Sequence, residues 1–122
     1  MYAERLAVEL SSRMKEVVPA GITITVDGDM LWFSHDGKQR AGSYGCQWVK
    51  KGEGSIDDLI VRACELALHD LQDFVMVATT EQWPGSGGPI RPGARIEGRS
   101  VDLWFGDRQH PTVQLRPLLL GS

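Results

Sequence analysis

SIDDLIVRACELALHDLQDFVMVATT, residues 55–80, is the stretch on which the fold turns. Ser55, followed three positions later by Asp58, reads as a capping pair. The hydroxyl accepts an orphan backbone N–H, and the acids of the first turn suit the positive end of the helix dipole. Ile56, Leu59, Ile60, Ala63, Ala67, Leu71, Phe74 and Ala78 recur at three- and four-residue spacing, while Asp58, Arg62, Glu65, His69, Gln72 and Asp73 share the opposite arc. The spacing predicts a helix that other elements must cover on one side. Each large apolar side chain fully buried contributes up to about 1.5–3 kcal/mol, so this stripe is expected to dominate the core.

Upstream, Ala3, Leu6, Ala7, Leu10, Met14 and Val17 repeat at helical spacing, with Arg5, Glu9 and Arg13 as an (i, i+4) ladder on the exposed side. This first helix is expected over residues 2–18 and is stopped by Pro19 and Gly21. ITITV then alternates, Asp27-Gly28 supplies a turn, and DMLWFS resumes an extended pattern: a β-hairpin. With Asp27 and Gly28 as the loop, Ile24 would oppose Leu31 and Ile22 would oppose Phe33, and these would share one face with Val26. Met30 and Trp32 then point the other way, among Thr23, Thr25 and Ser34. A second turn at Asp36-Gly37 leads to a third strand near residues 40–49, in which Tyr44, Cys46 and Trp48 alternate with smaller residues.

Downstream of the central helix, WPGSGGPIRPG (residues 83–93) has Gly or Pro at seven of eleven positions and reads as a long surface loop. RIEGRSVDLWFG follows as one strand broken or bulged at Gly98, with Val101, Leu103 and Phe105 facing one way and Trp104 the other. Thr112 to Arg116 forms a last short strand, closed by Pro117 and an apolar tail, Leu118 to Leu120. No internal repeat is visible. The expected fold is one α+β domain over residues 1–122, a two-layer sandwich with an antiparallel five-stranded sheet and both helices on one face. The order α-β-β-β-α-β-β is similar, in element order alone, to that of small secretion-chaperone-like domains. That resemblance implies a dimer that binds another polypeptide.

A chain of 122 residues with 42% hydrophobic and 24% charged residues is ordinary globular material. No run reaches membrane-spanning length, and Glu4 and Glu9 interrupt any apolar segment at the start, so a cytoplasmic protein with no membrane partner is expected. Cys46 and Cys64 fit no CxxC or zinc spacing and read as reduced, buried thiols. The net charge is -3. Residues 84–122 hold five arginines against three acids, interleaved rather than clustered, so nucleic acid is not an expected partner.

His69, with Glu65 and Asp73 one helical turn away on either side, has ligand spacing, but favourable charge pairs on a solvated helix produce the same pattern. His35-Asp36 and His110-Pro111 are accounted for as turns, and GSGG lacks the lysine and helix start of a phosphate cradle. No nucleophile elbow, metalloprotease helix or dinucleotide fingerprint occurs. No enzyme, metal or cofactor is therefore expected. Asp70 falls on the apolar arc between Leu59 and Ala63, where a carboxylate needs a partner; a rim position reaching water or an arginine is the simplest outcome. The strongest functional lead is the sheet face turned away from the helices, carrying Met30, Trp32 and Trp104, with Trp83 on the neighbouring loop, since partner surfaces enrich large aromatics. That face could instead be covered by the loop or by the tail. The expected function is a non-catalytic protein-binding module, chaperone-like or regulatory, joined to another protein or to itself as a homodimer. Alternatives are an immunity-type inhibitor of a toxin or enzyme, and a small-molecule-binding domain.

Overall fold

A computed structural model describes residues 2–85 and 90–120, with only the backbone of Lys51. The helices are α1 (Ala3–Met14), a short α2 (Trp48–Lys51) and α3 (Ile56–Thr79). Six strands accompany them: β1 (Ile22–Asp27), β2 (Met30–His35), β3 (Gln39–Ser43), β4 (Pro92–Glu97), β5 (Ser100–Gly106) and β6 (Pro111–Leu119). They form two three-stranded antiparallel sheets, β1-β2-β3 and β4-β5-β6, and not the single five-stranded sheet that the pattern suggested. Among the described residues no helix is long and apolar enough to cross a membrane.

The capping pair forms as read: the Ser55 hydroxyl accepts the Asp58 N–H at 3.2 Å, and α3 runs to Thr79. At 1.5 Å per residue it is about 36 Å long. Its buried arc is wider than the expected stripe, because Cys64, Leu68, Gln72 and Val75 are buried beside Leu59, Ala63, Leu71 and Phe74. That width is why one sheet is not enough. The first sheet meets α3 through β2 and β3, with Phe33 and Phe74 ring centroids 5.9 Å apart, and β4 of the second sheet packs on another side of the helix. The first helix is shared in the same way, by β1 and β2 of one sheet and β6 of the other. A single hydrophobic cluster runs through both sheets and both long helices.

The exposed ladder on α1 needs correction. Arg13 is buried, held by Glu9 and donating to the Pro117 carbonyl of β6 at 3.1 Å. A charge enters the interior here because its guanidinium reaches both a carboxylate and a strand carbonyl. The helix itself ends at Met14, followed by tight turns as far as Val18.

In the first hairpin the loop is Gly28-Asp29, with Asp27 paired to Met30, so Ile24 opposes Phe33 and Val26 opposes Leu31. The register differs by two residues from the expected one, which leaves every side chain on its expected face. Gly28 supplies the positive φ of 62° that the first position of this turn needs. The Asp29 carboxylate is then free to bind Lys50 of α2 at 2.6 Å and the Gln47 amide at 3.2 Å, which pins the hairpin tip. The hydrogen bond from Lys50 lowers the Asp29 pKa.

The third strand stops at Ser43, short of the expected 40–49 span. Gly45 starts a tight 3-10 turn against α3, so close that a Cβ there would lie 2.9 Å from the Ala67 nitrogen. Only glycine allows the chain to leave the sheet at that point. Cys46 is buried as a free thiol like Cys64, with burial raising its pKa to about 12.

The second sheet differs from its expected form in two ways. RIEGRS is a hairpin rather than a bulged strand: Glu97 pairs with Ser100 around Gly98-Arg99, with Gly98 at φ 60°. The last strand continues through Pro117 to Leu119, and Leu118 is a core residue rather than part of a loose tail. Pro117 is tolerated because β6 is an edge strand and is bulged between its pairings to Val101 and Leu103. Pro92 and Gly93 of the expected loop belong to β4, and Ser86 to Pro89 lie outside the described residues.

Candidate functional site

On β2, Leu31 and Phe33 face the core, which turns Met30 and Trp32 outward with Ser34. Trp32 is half-buried, although no helix packs on that side; its cover comes from its own sheet. The indole lies over Gly42 of β3, where a Cβ would come within 2.9 Å of both Trp32 Cζ3 and Met30 Cε. Gly42 thus gives the two side chains a common floor. Above the ring sits Arg40, its guanidinium carbon 4.3 Å from the centroid. Among the described residues this guanidinium has no carboxylate partner. Arg40 is absent from the sequence-level candidates. The turn at Asp36-Gly37 held the signal, since it sets Arg40 opposite Ser34 and hence diagonal to Trp32.

Trp104 occupies the matching place on the second sheet. Leu103 and Phe105 point inward, and the Trp104 indole covers Gly93 of β4, where a Cβ would lie 2.6 Å from the ring. Arg108 approaches the centroid at 5.6 Å, but this arginine is held by Glu97 and lies 3.7 Å from Asp102. A hollow of about 500 Å³ lies beside this ring, lined also by Arg95 and Gln114. Trp32 and Trp104 therefore project from two different sheets and do not share one face. Trp83 joins neither of them. It packs edge-on against the inward-facing Phe105, centroids 5.1 Å apart, at the margin of the core. With Trp83 against Phe105 and Leu118 buried, neither the described part of the loop nor the last strand covers Trp32.

A second concavity runs along α3. Gln72, expected on the exposed arc, is buried and donates its amide to the carbonyls of Trp83 (3.2 Å) and Ile90, so it clamps both ends of the loop. Between loop and helix lies a groove of about 900 Å³ whose walls include Arg62, Glu65, Leu66, Met76 and Arg91. Burial raises the Glu65 pKa, while a hydrogen bond from the Ala94 N–H opposes that rise. His69 and Asp73 are 3.4 Å apart, as the helical spacing implied. Among the described residues no group of three His, Cys, Asp or Glu side chains is placed to hold a metal ion. Asp70 finds a serine rather than an arginine: Ser43 donates to its carboxylate at 2.7 Å, tying β3 to α3.

Arg62 stacks on Trp48 at 4.4 Å, so each tryptophan outside the core margin carries an arginine over its ring. Such stacks hold a flat apolar surface and a cation together at small entropic cost. What separates the Trp32 site from the other sheet's is charge: Arg108 is neutralised by Glu97 and Asp102, and Arg40 is not. Compared with protein-family models, with curated proteins and with solved structures, the chain matches none.

Proposed function

We propose that the chain is a non-catalytic protein-binding module that takes its partner on the outer face of β1-β2-β3. One observation carries the reading: Trp32 lies over Gly42 under an Arg40 guanidinium that has no carboxylate partner among the described residues, on a strand face without a helix. Tryptophan and arginine are the side chains that most often dominate binding energy at protein interfaces. The chemistry asks for a polypeptide that presents an aromatic or branched aliphatic side chain to the ring edge and Met30, with a carboxylate beside it for Arg40.

Selection from a displayed random-peptide library tests this, using wild type, Trp32→Ser and Trp104→Ser as baits. Peptides enriched on wild type should pair an apolar anchor with Asp or Glu, lose about 2 kcal/mol of affinity on Trp32→Ser, and keep it on Trp104→Ser. Equal binding to all three baits refutes the site. A second reading is supported by the groove along α3: its volume and mixed lining suit a small organic ligand. A thermal shift with a metabolite that Arg62→Ala abolishes and Trp32→Ser leaves intact favours it.

A further inference from the structure

The apolar stripe of α3 opens with a residue that the core leaves out. Ile56 heads the helical spacing that buries Leu59, Ile60 and Ala63, yet it is 50% exposed. The first buried positions of α3 are Leu59 and Ile60, so the opening turn lies outside the packed part of the helix. Its neighbours are acids without cations. Residues 53–58 hold Glu53, Asp57 and Asp58 and no base; all three acids are exposed, and none forms an ion pair among the described residues. The helix dipole accounts for acids in the first turn. It does not account for the isoleucine.

Of the other large apolar residues left exposed, Val8 alone also adjoins an acid in sequence, and that acid, Glu9, is taken by Arg13. Ile56 is therefore the one exposed apolar anchor of the described chain that has a free carboxylate next to it. The outer face of β1-β2-β3 asks for that combination. Trp32 and Met30 offer apolar surface there, and Arg40, opposite Ser34, has no carboxylate partner among the described residues. The charges of the face also set a direction: Asp27 stands beside Met30 at one corner, and Arg40 lies towards the other.

We propose that this face receives the first turn of α3 from a second copy of the chain, with Ile56 against Met30 and the Trp32 ring edge and Asp57 on Arg40. Side chains of a helix lean towards its N-terminus, so the two residues are presented together at the start of α3. Asp27 repels the acids at the Met30 corner and Arg40 attracts them at the other, which fixes the orientation. Made about a two-fold axis, the contact occurs twice and closes a dimer. A second copy is favoured over an unrelated peptide because this chain carries both halves of the contact, and each half lacks a partner of its own. The inference rests on the Trp32 face being a binding surface and adds what binds there.

Sedimentation of the full chain from micromolar to millimolar concentration should show a reversible dimer. Arg40→Asp and Asp57→Arg, each alone, set like charges against each other and should weaken it about tenfold or more, as should Ile56→Ser. Val8→Ser, which removes a comparably exposed side chain from α1, should leave it unchanged. An equimolar mixture of the Arg40→Asp and Asp57→Arg chains should recover the dimer, since each face then meets an opposite charge; this recovery also shows that both variants are folded. A wild-type monomer throughout overturns the proposal, as does a dimer indifferent to Arg40→Asp or a mixture that stays monomeric. If the wild type is monomeric while its face still selects peptides through Trp32, the self-partner alone falls. If it neither dimerises nor selects peptides, the binding reading of the Trp32 face falls with it.

Discussion

On β2, Leu31 and Phe33 enter the core while Trp32 lies outward over Gly42; on β5, Leu103 and Phe105 enter the core while Trp104 lies outward over Gly93. Both middle strands carry Leu-Trp-Phe, both follow a two-residue turn with glycine first, and both tryptophans sit beneath an arginine. Local chemistry is therefore nearly the same in the two sheets. Their surroundings are not. Glu97 and Asp102 neutralise Arg108 in the second sheet, and α3 caps the edge of β4 through Glu65, whereas in the first sheet Arg40 has no carboxylate partner among the described residues. The lesson is that a motif acquires a role from what neighbouring elements leave unsatisfied, not from its own residues.

Phe33→Ala and Phe105→Ala should each cost about 3–5 kcal/mol in denaturant melts, since both rings are fully buried and each packs on another aromatic ring. A negligible cost at one of them would mean that the two sheets do not share one cooperative core. The glycines beneath the two tryptophans should show smaller effects. At Gly93 an added Cβ would lie 2.6 Å from the Trp104 ring, which has to tilt out of its stack, so Gly93→Ala is expected to cost about 1–3 kcal/mol. Gly42→Ala should cost less, because its contacts at 2.9 Å are with the mobile end of Met30 and the rim of Trp32. The reverse order, read from melting temperatures, would show that Trp32 is the more tightly held ring.

The smallest effect concerns the capped edge. Burial raises the Glu65 pKa in the folded chain. A raised acid pKa favours folding below the unfolded value, and this benefit is lost as pH rises through the folded one, so at neutral pH the half-buried charge works against stability. Glu65→Gln keeps an acceptor for the Ala94 N–H and removes that charge. It should stabilise the protein at pH 7 by less than about 1 kcal/mol, with the gain shrinking as the pH falls below the carboxylate range. A variant less stable at pH 7 would show that the charge is needed at the β4 edge.

Inward and outward parity was legible along β1, β2 and β5, as was the capped start of α3, because alternation and helical spacing are local signals. A hairpin slip of two residues left parity intact, which is why Trp32 and Trp104 were correctly read as outward while the turn before Trp32 was misplaced. Gln72 and Arg13 were misread for one reason: each is polar, and each is buried by a partner carbonyl distant in sequence. Nothing local marks such a pairing.

Spacing within a dozen residues is enough for the helices α1 and α3, the first hairpin, the side chains that face inward along the middle strands, and the outward tryptophans. That the strands divide into two sheets, that Trp83 belongs to the core margin, and that Arg108 and the edge of β4 are satisfied while Arg40 has no carboxylate partner among the described residues emerges only when distant parts of the chain pack together. The physical reason is that an element's pattern fixes which side it must bury, whereas what buries it, and which charges and backbone groups find partners there, depends on residues far along the chain.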